Sequence, residues 1–167
     1  CSRLGTVAST SVGKKAARAS SVVYVCCFGS ASNISPVIVT TANDLSLIDA
    51  RKGLQMFEKV GVPILGIVEN MSFFTPPDLP DRKYYLFGRG GGERVAKELG
   101  VEFLGEVPID PRVATDGDVG RPIVVSEPDS PSAIAFREIA GQIARKVARL
   151  AIETPPVADA NITWIKH

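Results

Sequence analysis

The sequence predicts an α/β protein in which a partial parallel β-sheet is flanked by helices. Two observations carry this prediction. From Pro36 onward, short apolar runs rich in β-branched residues alternate with amphipathic segments, and the first two runs enclose one helical segment. A strand–helix–strand unit of this kind makes a right-handed crossover that leaves its two strands parallel. With 167 residues, 45% of them hydrophobic, the chain is long enough to bury the core of one domain.

The first two strands and the helix between them are predicted from hydrophobic patterning. Residues 36–41 and 64–68 are short, nearly continuous apolar runs, as expected for strands buried on both faces. Between them, apolar residues recur at helical spacing, with Asp44 and Ser46 as candidate N-caps. We expect this helix to end near Gly61.

The second half of the chain continues the alternation. The pattern predicts a short helix over 91–99, a strand over 103–107 closed by Pro108, a turn rich in Gly and Asp, and a weaker strand at 123–125. A long helix should then begin at Ser130-Pro131, since Pro suits the first helical position and one face beyond it is apolar.

Charge and hydropathy argue against several classes of protein. Nineteen Lys and Arg against eighteen Asp and Glu create no strong field, so we expect no nucleic-acid partner and no membrane partner. No apolar run approaches the ~20 residues that span a bilayer, and the N-terminus lacks the pattern of a signal peptide. Three cysteines, two of them adjacent, are too few for a disulfide framework. We therefore expect a cytoplasmic location.

Two glycine-containing stretches approach nucleotide-binding patterns but fail on spacing. A Walker A loop requires a glycine where Ala8 stands and a hydroxyl residue where Lys15 stands. A dinucleotide fingerprint in the glycine-rich stretch 88–92 would require a glycine at Glu93. We favour a solvated basic turn as the interpretation of the first stretch. We favour a flexible segment that leads into a helix as the interpretation of the second.

No catalytic residue and no metal site are predicted. His167 is the only histidine and is the last residue, so no triad or histidine-ligated metal site is expected around it. Asp116 and Asp118 lie in a Gly-rich stretch, where turn formation explains them as well as acid–base chemistry does.

Asn70 is the most informative polar residue because it follows the predicted strand at 64–68. Ligands of open α/β sheets bind at the carboxyl ends of the strands. An asparagine amide offers a donor and an acceptor, which suits the edge of a purine base. A loop-capping asparagine is an equally good interpretation of this residue on its own.

Several motifs in order resemble Mrp/ApbC proteins over about residues 36–150. The matching stretches are 47–52 (LIDARK), 62–72 (VPILGIVENMS), 87–91 (FGRGG), 103–110 (FLGEVPID) and 120–124 (GRPIV). The resemblance implies a MinD/ParA-like P-loop NTPase fold and, for the intact protein, an iron–sulfur cluster carrier. Such a carrier is a homodimer that binds ATP with Mg²⁺ and delivers its cluster to apo iron–sulfur proteins.

Carried over to this sequence, the resemblance implies a nucleotide-base pocket and no catalytic group. It places Asn70 and Met71 at the adenine, with Pro108, Ile109 and Asp110 lining the same pocket.

Two departures from the family pattern limit this prediction. Many members carry a Cys-Pro-x-Cys motif whose thiolates hold the cluster, but its two cysteine positions are Pro76 and Leu79 here. The P-loop half and the Walker B strand should precede Pro36, and residues 1–35 resemble neither. Without those groups, nothing neutralises the charge of phosphoryl transfer, so we expect no ATP hydrolysis by this chain alone.

We therefore divide the chain into an unmatched N-terminal segment, 1–35, the C-terminal part of a P-loop NTPase domain, 36–153, and a tail, 154–167. Our hypothesis for the first segment is a truncated or frame-shifted stand-in for the ATPase half. Two alternatives to the carrier function stay open: a fragment of a MinD/ParA-type positioning ATPase, and a non-catalytic remnant or scaffold.

Overall fold

The computed structural model describes residues 24–28 and 35–153. Its elements in chain order are β1 (Tyr24–Phe28), β2 (Ser35–Thr40), α1 (Asp44–Lys59), β3 (Gly66–Phe74), α2 (Gly91–Glu98), β4 (Phe103–Ile109), α3 (Pro111–Asp118), α4 (Ile123–Ser126) and α5 (Pro131–Glu153). The predicted α/β class is confirmed. No helix in this described part is both long and apolar enough to cross a membrane.

The four strands form one sheet in the order β1-β2-β3-β4. β2 pairs with β3 and β3 with β4 in parallel, whereas β1 pairs with β2 in antiparallel fashion. The predicted parallel pairing of the first two buried strands is therefore confirmed, and β1 lies at the edge of the described sheet.

Each face of the sheet has its own hydrophobic core. Helices α1 and α2 cover one face, and the buried residues there are Ile38, Leu47, Ala50, Leu54, Ile67, Val95 and Ala96. Helix α5 covers the other face over Val37, Leu65, Val68, Leu104, Val107 and Ile139. This two-sided burial explains why the parallel strands are almost continuously apolar in sequence.

The N-cap prediction for α1 was wrong by one residue. The cap is Asn43, whose Oδ1 accepts a hydrogen bond of 3.0 Å from the backbone N–H of Leu45. Asp44 is instead the first helical residue, where its charge favours the helix dipole. Ser46 is buried and accepts a hydrogen bond from the Thr41 hydroxyl. The helix ends at Lys59, close to the predicted Gly61.

Two strands are longer than predicted. β3 continues through Asn70 to Phe74 because the chain bulges after Asn70 and then resumes pairing with β4. β4 continues through Pro108 to Ile109. A proline is tolerated there because β4 is an edge strand of this sheet. On its outer side no neighbouring strand requires the backbone N–H that proline lacks.

Two elements after β4 were predicted wrongly. The Gly/Asp-rich stretch forms helix α3, capped by Asp110 with Pro111 at its first position. The weak strand at 123–125 is the short helix α4, which Pro122 precedes. Three apolar residues are too few to distinguish a helical from an extended period. The long helix that begins at Pro131 is confirmed.

Candidate functional site

A cavity of about 490 Å³ lies beside the carboxyl-terminal halves of β3 and β4 and extends to α3 and α5. It is lined by all five residues assigned from the sequence, Asn70, Met71, Pro108, Ile109 and Asp110. The rest of its lining is almost entirely apolar: Val37, Val39, Val68, Val107, Pro111, Val113, Ala114, Phe136, Ile139 and Ile143. The structure thus brings Asn70 and Asp110, which lie 40 positions apart in the sequence, to the same cavity.

Asn70 enters this cavity at a distorted point of β3. Met71, the next residue, has a φ of 54°, the only positive φ of a non-glycine residue in the described part. Such a conformation is uncommon for a long side chain and is often found at ligand sites. The Met71 N–H donates a 3.0 Å hydrogen bond to Asn70 Oδ1. The Asn70 amide nitrogen makes no hydrogen bond with any described residue, which leaves its two N–H donors available.

Asp110 holds two helices together at the rim of the cavity. Its carboxylate caps α3 and accepts hydrogen bonds of 3.0 and 2.9 Å from the Arg112 guanidinium. The Ser132 hydroxyl at the start of α5 donates to the same carboxylate at 3.1 Å. These hydrogen bonds, chiefly those of Arg112, lower the pKa of Asp110. The carboxylate is therefore engaged within the protein, a structural role that the sequence analysis did not predict.

Glu69, the neighbour of Asn70, is a fully buried carboxylate that the sequence analysis did not single out. It accepts a 2.6 Å hydrogen bond from the Ser72 hydroxyl and a 2.7 Å hydrogen bond from the Gly92 N–H at the start of α2. A Cβ on Gly92 would lie 3.1 Å from Glu69 itself, so glycine allows this close approach. The N-terminus of α2 is thus capped by an internal carboxylate, which explains the glycine at position 92 without an external anion.

Glu106 lies beside this buried carboxylate. Burial raises the pKa of Glu106, and the charge of Glu69 raises it further, whereas Lys83 acts in the opposite direction. The charge of Glu69 therefore disfavours ionisation of Glu106.

The segment between β3 and α2, residues 75–90, contains the positions of the family cysteines. Pro76 and Leu79 offer no thiolate there. An antiparallel bridge joins this segment to β3 between Tyr84 and Phe74. Two cation–π contacts add to it: Lys83 lies over the Phe73 ring at 4.0 Å and Arg89 over the Tyr85 ring at 4.9 Å. No cluster of three His, Cys, Asp or Glu side chains suited to a metal ion occurs among residues 24–28 and 35–153.

Comparison with known proteins gives a consistent result. The model of a family described as "ParA: NUBPL iron-transfer P-loop NTPase" matches residues 24–144. The "Iron-sulfur cluster carrier protein" of Synechocystis sp. is 60% identical over 116 residues, which are 70% of this chain and 33% of the relative. The "Iron-sulfur cluster transfer protein NUBPL" of Dictyostelium discoideum is 43% identical over 111 residues, 66% of this chain and 34% of the relative.

Among solved structures, the cell division ATPase MinD of Pyrococcus furiosus superimposes with a TM-score of 0.50 at 27% identity. The superposition covers 66% of this chain and 42% of MinD. This chain spans about a third of the length of its curated relatives. The chain belongs to the ParA/NUBPL family of iron-transfer P-loop NTPases.

Proposed function

We propose that this chain supplies the base-binding part of an ATP-dependent iron–sulfur cluster carrier and does not hydrolyse ATP on its own. One observation carries the proposal. The residues assigned to the base pocket line a single apolar cavity in which the amide N–H groups of Asn70 are available as donors.

The chemistry of this cavity suits a purine ring. Its valine, isoleucine and phenylalanine side chains provide apolar surface for a flat ring, and few polar groups compete with it. Because Asn70 Oδ1 already accepts the Met71 N–H, the amide presents mainly its donors to a ligand. A ring nitrogen of adenine is a matching acceptor.

The triphosphate and Mg²⁺ would be held by groups outside the residues described in this structure. The iron–sulfur cluster is the cargo in this proposal, and segment 75–90 lacks the thiolates that would hold it. For the whole protein we propose a homodimer in the cytoplasm. We also propose that it delivers clusters to apo iron–sulfur proteins, which is supported by the names of its relatives as carrier and transfer proteins.

Binding of a fluorescent ATP analogue to the purified chain tests the base pocket. We expect saturable binding that unlabelled adenosine competes for and guanosine does not. Asn70→Ala should weaken binding by about ten-fold, the effect of losing one hydrogen bond. Gln55→Ala removes a similar amide from the exposed face of α1 and is the matched control.

The outcome also separates the alternatives. Binding that is absent in the wild-type chain, or equally strong in Asn70→Ala, would contradict the proposal and favour a non-catalytic scaffold. If ATP binds but the chain also associates with DNA or with lipid vesicles, the MinD/ParA-type positioning ATPase becomes the better description.

A further inference from the structure

A second cavity, of about 570 Å³, lies along α5 at the opposite end of the sheet from Asn70. We call it the α5 groove, and it is lined by Glu102, Arg137, Glu138, Gly141, Gln142, Arg145, Lys146 and Arg149. Lys146 lies in this groove. Its Nζ donates a hydrogen bond of 2.5 Å to the Leu65 carbonyl oxygen and forms a salt bridge of 2.5 Å with the Glu102 carboxylate. Those two residues immediately precede β3 and β4.

The groove carries a surplus of positive charge that the fold itself does not use. Four of its lining residues are basic and two are acidic. Lys146 is engaged with Glu102, and Arg149 pairs with Glu153 on the exposed surface. Arg137 and Arg145 form neither an ion pair nor a hydrogen bond with any residue that the structure describes. Their guanidinium groups are therefore available to an anionic ligand.

Gly141 lies between these two arginines in the interior of α5. Glycine there costs about 1 kcal/mol of helix stability relative to alanine. Neither packing nor backbone conformation requires it, because an added Cβ would meet only the Arg145 guanidinium, at 3.5 Å. The glycine leaves the floor of the groove open beneath Arg145.

The shape and lining of the groove favour a peptide over other anions. From Arg137 to Arg149 the helix rises by about 18 Å, the length of five or six extended residues. Among residues 24–28 and 35–153, no aromatic side chain lines the groove to stack on a base, and no large apolar side chain lines it to enter a membrane. The carboxylates of Glu102 and Glu138 would repel a ligand that carries negative charge along its whole length.

We propose that the α5 groove binds an extended acidic segment of a protein partner, with Arg137 and Arg145 as the main carboxylate ligands. Arginine suits this role because its planar guanidinium pairs with carboxylates in a bidentate manner. The groove shares no lining residue with the Asn70 cavity, so we expect this interaction not to depend on nucleotide binding.

Fluorescence anisotropy of the full chain tests the proposal. The probe is a fluorescein-labelled peptide of alternating glutamate and glycine, about ten residues long. We expect saturable binding that weakens as salt is raised, and no binding of the matching lysine–glycine or serine–glycine peptides. The double variant Arg137→Gln/Arg145→Gln should bind the acidic peptide at least about ten-fold more weakly.

A matched control removes the same charge elsewhere. Arg82→Gln/Arg121→Gln changes two exposed arginines outside the groove and should leave affinity within about two-fold of wild type. Circular dichroism verifies that both variants fold. No binding by the wild type, or an equal loss in both double variants, would overturn the proposal. So would tighter binding to phosphatidylserine vesicles than to the peptide, which would identify a membrane surface instead. Asn70→Ala should leave peptide affinity unchanged, and a loss there would contradict the independence of the two sites.

Discussion

At the scale of single residues, the buried carboxylate of Glu69 links the strand that bears Asn70 to the start of α2. Glu69→Ala would leave the Gly92 N–H and the Ser72 hydroxyl without their acceptor and would open a cavity. We expect the free energy of unfolding to fall by about 2–4 kcal/mol, measured by urea denaturation. Glu69→Gln should cost less, since it preserves volume and one acceptor oxygen.

Glu58→Ala is the control for this prediction, because Glu58 is exposed on α1. It should change the free energy of unfolding by less than about 0.5 kcal/mol. A loss in Glu69→Ala no larger than that in the control would show that the buried hydrogen bonds contribute little.

Asp110 should make stability depend on pH. Its folded pKa is lowered, chiefly by hydrogen bonds from Arg112, so its stabilisation is present above the ordinary value of 3.8 and is lost as pH falls through the folded pKa. Asp110→Ala should lower the free energy of unfolding by about 1–2 kcal/mol at neutral pH. The difference from wild type should shrink at the lowest pH at which the wild type stays folded.

Urea denaturation across this pH range measures the effect, with Asp129→Ala as an exposed control. Asp110→Asn retains a capping side chain but loses the charge, so it separates the cap from the ion pair. A difference between Asp110→Ala and wild type that stays constant with pH would contradict the assigned role of the carboxylate charge.

At the scale of elements, the backbone approaches β4 closely at the first residue of β3. A Cβ added to Gly66 would lie 2.5 Å from the Glu102 carbonyl oxygen and 2.7 Å from Leu104 Cγ. Gly66→Ala should therefore lower the free energy of unfolding by about 2–3 kcal/mol. Gly141→Ala, in the middle of α5, should raise it by up to about 1 kcal/mol. Thermal unfolding of both variants tests these two predictions. Similar shifts of the unfolding temperature in the same direction would contradict them.

The elements that were predicted well are those with a long or unambiguous hydrophobic pattern. Helix α5 repeats its apolar face over several turns, and β2 and the first residues of β3 belong to short apolar runs. Helix α3 was missed although Asp110-Pro111 is a recognisable N-cap followed by proline at the first helical position. Its glycine and aspartates favour turns. The Asp110 cap and the hydrogen bond from the Ser126 hydroxyl to Asp116 stabilise the helix against that preference.

At the scale of the whole molecule, the chain covers about a third of its relatives and lacks the usual cluster thiolates in segment 75–90. If the proposed carrier function is right, Pro76→Cys/Leu79→Cys should restore cluster binding, because two thiolates per protomer then occupy the family positions. Reconstitution with iron and sulfide under anaerobic conditions, followed by visible absorption, measures this gain.

The wild-type chain and the single variant Pro76→Cys are the controls for reconstitution. Both should bind much less cluster than the double variant, although the three native cysteines set a background. Equal absorption in all three proteins would show that segment 75–90 does not hold the cargo.

The sequence by itself determined the fold class, the family and the five residues proposed for base binding, because these depend on local patterns and on motifs in a set order. Only the tertiary structure decided that these five residues line one cavity, that Asp110 joins α3 to α5 through a hydrogen bond from Ser132, and that Glu69 caps α2. These features depend on contacts between residues far apart in the chain, such as Glu69 and Gly92. Hydrophobic periodicity reports which face of an element is buried but not which polar groups meet there.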